Sequence, residues 1–288
     1  LYQILIMNKS IILLLLILGL CSGCYQTEID DAEPQLVVEG WIENDRPPII
    51  QLTTTVPISK TKRSLDSLDQ HVLNWAKVSV SDGEKEVIMT GIYNRKLFPP
   101  YVYTTTELKG EIGKTYKLKV DYAQFHAEAE TTIPVPTKIT NIHVIPVKDR
   151  KMTYVVKATI LDDAKTEDYY KVFVRSSEKD MTMRSSYFGL FNDKTLSKDA
   201  VITIYNGRNN LALPYIKQHF LLDEKILIKF CHLDSIGYQY WKAFEDYHVE
   251  GRNPLFNTMQ KLPTNIKGGL GYWLGYGSTY YPLLITEK

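Results

Sequence analysis

From residue 35 onward, apolar residues recur at every second position in short runs, and turn-forming residues separate one run from the next. The first hundred residues hold QLVVEGWI (35–42), IIQLTTT (49–55), AKVSVSD (76–82), KEVIMT (85–90), YVYTTT (101–106), TYKLKVDY (115–122) and FHAEAETTI (125–133). In TYKLKVDY, Tyr116, Leu118, Val120 and Tyr122 fall on one side and Lys117, Lys119 and Asp121 on the other. That is the pattern of an antiparallel strand with one packed face and one wet face. Asp82-Gly83 between two runs is a hairpin signal, because glycine accepts the positive φ of a tight turn. Seven strands at this spacing predict an immunoglobulin-like β-sandwich over 35–134. Residues 59–75 carry no strand pattern and read as a long exposed loop or a short helix.

Pro134 and Pro136 cannot donate ladder hydrogen bonds, so TIPVPTKI reads as an extended connector and a domain boundary. Beyond it, ITNIHVIPV (139–147), TYVVKATILD (153–162), YYKVFVRSS (169–177), AVITIY (200–205) and EKILIKFC (224–231) predict a second β-rich domain spanning 137–288. The period then changes. Ile236, Tyr240, Ala243, Phe244 and Tyr247 share one helical face, and Asp234 is a fitting N-cap, which predicts one late α-helix over about 234–250. The fold class expected is therefore mainly β. The closing PTNIKGGLGYWLGYGSTYYPLLIT combines five glycines with Tyr272, Trp273, Tyr276, Tyr280 and Tyr281. It reads first as a glycine-kinked strand whose aromatics fill the second domain's core. Its functional reading is an aromatic platform for a sugar or peptide ligand.

The N-terminus carries a different signal. Residues 7–24 read MNKSIILLLLILGLCSGC, with Lys9, an unbroken apolar run from Ile11 to Leu18, and Ser22-Gly23 ahead of Cys24. A short charged region, a short apolar core and small residues before the cut define a secretory signal, here expected over 1–23 with the true start at Met7. The core is shorter than the roughly 20 residues a spanning helix needs. Ser22-Gly23-Cys24 after Leu20 resembles the bacterial lipobox, with Cys21 where that pattern usually has Leu, so Cys24 is the expected lipidation site and first mature residue. Acyl chains on Cys24 would hold the protein to outer-membrane lipid. Residues 24–34 follow as a tether carrying Glu28, Asp30, Asp31 and Glu33. It reads as a solvated linker, and it also resembles the acidic export signal of Bacteroidota lipoproteins, which would place the protein on the cell exterior.

Charge and cysteine content narrow the chemistry. A net charge of +1 with intermixed signs leaves no basic stripe for nucleic acid. Cleavage before Cys24 would leave Cys231 as the one unmodified thiol, which excludes a disulfide framework or a cysteine-based metal site, and its apolar run predicts simple burial. HExxH, GxSxG, Walker and CxxC motifs are absent, and the six histidines, at 71, 126, 143, 219, 232 and 248, show no metal-ligand spacing. The acidic pairs Asp162-Asp163 and Glu245-Asp246 are not ready-made catalytic dyads. No enzyme activity, metal or cofactor is expected.

The order of pieces, from the lipobox through LVVEGWI, GEIGKTYKLKV and DSIGYQYW to the terminal NIKGGLGYW, resembles the domain of unknown function 4249 family of Bacteroidota lipoproteins. The resemblance implies an outer-membrane lipoprotein of the kind often encoded beside TonB-dependent receptors. The leading expectation is thus a non-enzymatic, surface-exposed accessory subunit that binds or gates substrate for a TonB-dependent transporter in nutrient uptake. An adhesive or structural envelope module is the alternative, and a hydrolase with a non-local acidic site is a third reading.

Overall fold

The computed structural model describes residues 33–55, 70–161, 166–177, 180, 182–196, 199–207, 218–250 and 262–287. The expected signal segment, Cys24, most of the 59–75 loop and Asp162-Asp163 lie outside these residues. All seven strands expected in the first half are present: β1 (Leu36–Glu43), β2 (Ile49–Thr54), β3 (Lys77–Ser81), β4 (Glu86–Ile88), β6 (Tyr101–Thr104), β7 (Thr115–Tyr122) and β8 (Phe125–Thr132). An eighth, β5 (Thr90–Tyr93), follows β4 after a single residue. They form two sheets with strand orders β1-β2-β6-β5 and β4-β3-β7-β8. Lettered in chain order this is A-B-E-D against C′-C-F-G, the immunoglobulin-like arrangement.

Alternation decides which side chains fill the space between the sheets. Leu36, Val38 and Ile42 of β1, Ile50 and Leu52 of β2, Val78 and Val80 of β3, and Tyr116, Leu118 and Val120 of β7 share one buried core. The second half adds β9 (Lys138–Pro146), β10 (Thr153–Leu161), β11 (Tyr169–Ser176), β12 (Arg184–Asn192), β13 (Val201–Ile204), β14 (Phe220–Leu221), β15 (Lys225–Leu233), the helix α1 (Ser235–Glu250) and β16 (Leu270–Leu284). A sheet built around β10 packs on one face of β11 and β15, giving a second core that includes Tyr154, Val156, Tyr170, Val172, Ile228 and Phe230. The helix begins as expected: the Asp234 carboxylate accepts from the Gly237 amide at 2.7 Å, an N-cap bond. Its buried face differs from the expected one. Tyr240 and Trp241 are buried with Phe244 packed beside them, while Ile236 is 45% exposed.

The connector between β8 and β9 separates the two cores but does not separate the sheets. The first half of β16 pairs in parallel with β1, from Val37 beside Leu270 to Glu43 beside Tyr276. Its second half pairs antiparallel with β15, from His232 beside Gly277 to Lys225 beside Leu284. One eight-stranded sheet, ordered β12-β11-β15-β16-β1-β2-β6-β5, therefore runs through both halves of the chain. Strands on both sides of the Pro134–Pro136 connector thus build one sheet. The connector crosses β16 closely: a Cβ on Gly275 would sit 2.4 Å from the Thr132 carbonyl oxygen, and one on Gly277 2.4 Å from that of Pro134. Side chains at those two positions would drive the crossing strands apart.

A candidate ligand chamber at the junction of the half-sheets

The odd-numbered residues of β1 turn away from the sandwich core. Glu39, Trp41 and Glu43 face a cavity of about 850 Å³ that Phe173 and Arg175 of β11, Lys229 of β15 and Tyr272, Tyr276 and Tyr280 of β16 also line. Tyr240, Trp241 and Phe244 of α1 form one side, Asn94 with Lys96 to Phe98 another, and Thr182 to Ser185 a third. Pockets of this size and apolar character, placed where two structural halves meet, are the usual form of small-ligand sites.

Five residues were expected to form an aromatic platform, and the two-residue period of a strand divides them. Tyr272, Tyr276 and Tyr280 lie together on the chamber face. Trp273 points the other way, is wholly buried in the N-terminal sandwich core, and donates its indole N–H to the Tyr116 carbonyl at 3.0 Å. Tyr281 packs against the second core, where its hydroxyl accepts from the Ile139 amide at 2.9 Å. Three of the five expected residues thus share the chamber face, while Trp273 and Tyr281 pack into the cores. The expectation that the aromatics fill the second domain's core holds for Tyr281 and is corrected for Trp273.

The chamber floor is also ionic. Glu43 and Lys229, each 5% exposed, form an ion pair at 2.8 Å, and the Tyr280 hydroxyl donates to the other Glu43 oxygen at 2.5 Å. Burial pushes the Glu43 carboxyl up, but Lys229, Tyr280 and Ser278 outweigh it and hold the group below its ordinary range. Lys229 is held above its ordinary value, because the Glu43 carboxylate offsets burial. Its ammonium lies 4.6 Å from the Phe173 ring centre and 5.2 Å from that of Tyr276, and the Arg46 guanidinium stacks 4.5 Å from the Tyr280 ring. Beside this set, the wholly buried Lys171 pairs with Glu245 of α1 and lies 5.1 Å from the Trp241 ring. Glu245-Asp246 is therefore no dyad: Glu245 engages Lys171, and Asp246 bonds Lys242 at 2.8 Å. The Trp241 indole N–H donates to the Tyr276 hydroxyl at 3.1 Å. Burial raises the Tyr272, Tyr276 and Tyr280 hydroxyls, which stay protonated and able to donate.

Two charged groups in the chamber wall stand apart from this network. The Arg175 guanidinium has a buried Nε without a hydrogen-bond partner. The Glu39 carboxyl has no ion-pair or hydrogen-bond partner among the described residues; burial raises its pKa, and its charge helps raise those of the neighbouring Tyr240 and Tyr272 hydroxyls. A group raised in the folded state adds stability below its unfolded value, near 4.3, and loses that contribution as pH rises through the folded value. Glu39→Gln is thus expected to raise the urea midpoint at pH 7 and leave it nearly unchanged at pH 3.5. A lower midpoint at pH 7 would mean that Glu39 has a stabilising partner.

Elsewhere, Cys231 is fully buried 3.4 Å from the Ser278 hydroxyl, and burial pushes its thiol up to about 11. That suits the expected role of a packed, inert residue. His126 is an exposed strand residue 2.8 Å from Asp121. Near the connector, a cavity of about 310 Å³ is lined by Asp168 and His232, which face each other at 3.2 Å. Among the described residues no three His, Cys, Asp or Glu side chains converge as a metal site.

Comparison with curated proteins found no match. The sequence profile of the family described as Domain of unknown function (DUF4249) matches residues 24–281, and the chain belongs to that family.

Proposed function

We propose that this protein is a lipid-anchored, surface-exposed outer-membrane subunit that binds substrate for a TonB-dependent transporter. The observation that carries the binding role is the chamber, a concave site of about 850 Å³ lined by tyrosines, tryptophans, the Arg175 guanidinium with its unpartnered buried Nε, and the Glu39 carboxyl. The lipobox-like Ser22-Gly23-Cys24, the acidic tether and the TonB-linked company implied by the family resemblance support the anchor and the partner. Binding fits the site better than hydrolysis. Of its two carboxylates, Glu43 is committed to Lys229 and Tyr280. Glu39 stands four residues away on the same strand, about 13 Å by strand rise, and glycoside hydrolysis needs carboxyl groups about 5–9.5 Å apart.

The experiment is affinity purification of the full-length protein from its own membranes in mild detergent, with mass spectrometry of what accompanies it. A TonB-dependent β-barrel in near-equal amount is the expected result, and recovery of the protein without any β-barrel contradicts the transporter role. Cys24→Ala is expected to abolish incorporation of an alkyne-labelled fatty acid and to release the protein from the membrane fraction. Retained label would place the anchor elsewhere.

A further inference from the structure

The chamber's charges are sorted along its length, and this sorting defines what would fill it. Five basic side chains line it against two acidic ones. Lys229 is neutralised by Glu43, and Arg184 by Asp180 at 2.7 Å. That leaves Arg175, with Arg46 and Lys96 at the rim, as cations without an ion pair among the described residues, and Glu39 as the unpaired anion. Glu39 stands beside Tyr272 in the β1–β16 register. Arg175 stands beside Leu227 of β15, past Phe173 and away from Tyr272. Between them lies an aromatic path: Tyr272 to Trp241 is 6.2 Å between ring centres, and Trp241 to Phe173 is 5.5 Å. Arg175 lies two residues beyond Phe173, roughly 6.6 Å by strand rise.

A buried guanidinium Nε without a partner favours an incoming planar anion, since the guanidinium fork binds carboxylate through two parallel hydrogen bonds. A half-buried carboxylate without an ion-pair partner among the described residues favours an incoming ammonium. A neutral sugar would leave both unanswered, and a simple anion would answer one. Resting on the binding role proposed above, we propose that the chamber takes a short peptide with free ends. Its terminal carboxylate meets Arg175, its terminal ammonium meets Glu39, and apolar or aromatic side chains lie against Phe173, Trp241 and Tyr272. The path, at about 3.3–3.6 Å per extended residue, accommodates roughly five residues.

The test is calorimetric titration of the full chain in mild detergent with a pool of pentapeptides rich in Leu, Phe and Tyr. The same pool is also used N-acetylated and C-amidated, and maltopentaose serves as a neutral comparison. The free-ended pool is expected to bind, and blocking either end to weaken it at least about tenfold, as loss of a charge-assisted hydrogen bond requires. Arg175→Met is expected to abolish the difference between acid and amide, and Glu39→Gln that between amine and acetyl, with both variants melting no lower than wild type. Equal binding of free and blocked peptides, binding of maltopentaose in preference to peptides, or no peptide binding overturns the ligand class. The transporter role stands or falls separately, on whether the β-barrel co-purifies.

Discussion

Glu43→Ala is expected to lower the unfolding free energy by about 3–5 kcal/mol, the usual result of removing one partner from a buried ion pair. Lys229 would keep its ammonium at 5% exposure while losing the carboxylate 2.8 Å away, and the Tyr280 hydroxyl would lose its acceptor. Its contacts with Phe173 and Tyr276, at 4.6 and 5.2 Å from the ring centres, offset no more than about 2 kcal/mol. The double replacement Glu43→Leu with Lys229→Met is expected to lie much closer to wild type, because neither charge is then stranded. Urea denaturation of the four proteins in the cycle measures the coupling. The pH dependence has a definite sign. Glu43 is held below its ordinary range, so its contribution is present above about pH 4.3 and lost as pH falls through the lower folded value. Wild type should lose stability in acid more steeply than the double variant. A Glu43→Ala loss under about 1 kcal/mol would show that the pair does not hold β1 to β15.

Trp273→Ala is expected to remove about 3–5 kcal/mol as well, by a different route. The indole is wholly buried among residues of the N-terminal sandwich and packs against Gly40, where an added Cβ would lie 2.8 Å from the ring. Its loss opens a cavity and strands the Tyr116 carbonyl. Because Trp273 comes from β16, the N-terminal core is completed only by the end of the chain. Residues 34–136 produced alone are therefore expected to remain unfolded, and the full chain to unfold with coincident fluorescence and circular-dichroism transitions. A cooperative unfolding transition in the 34–136 fragment would contradict this coupling.

The strands of the sandwich were legible because one face packs and the other meets water, so the sequence alternates. The strand β5 carries no such signal, because Thr90–Tyr93 sits on a sheet edge with Ile92 and Tyr93 exposed, so its sequence shows no alternation. The strand β12, RSSYFGLFN, mixes polar and apolar residues on both faces for the same reason. The parallel pairing of β1 with β16 joins residues more than two hundred positions apart and leaves no local trace in the sequence. In the chamber, the aromatic tally singles out a strand that lines it but does not separate that strand's two faces. Applying the two-residue period would have kept Tyr272, Tyr276 and Tyr280 and sent Trp273 and Tyr281 to the cores. A further signal was present in EKILIKFC, YYKVFVRSS and LVVEGWIE: a charge inside an apolar strand, at Lys229, Lys171 or Glu43, is buried only with a partner. Which partner each takes depends on tertiary pairing, which no local pattern encodes.

The measurement that tests the central claim most directly is site-specific cross-linking in intact cells from the chamber rim, using Lys96→Cys carrying a short photoreactive label. Lys119→Cys, on the exposed face of β7 in the other sheet, serves as the comparison, and the native Cys231 is buried out of reach. If the chamber delivers substrate to a transporter, the Lys96 position yields an adduct with a TonB-dependent β-barrel and the Lys119 position yields little or none. A β-barrel adduct from Lys119 alone, or none from either position, would contradict the account.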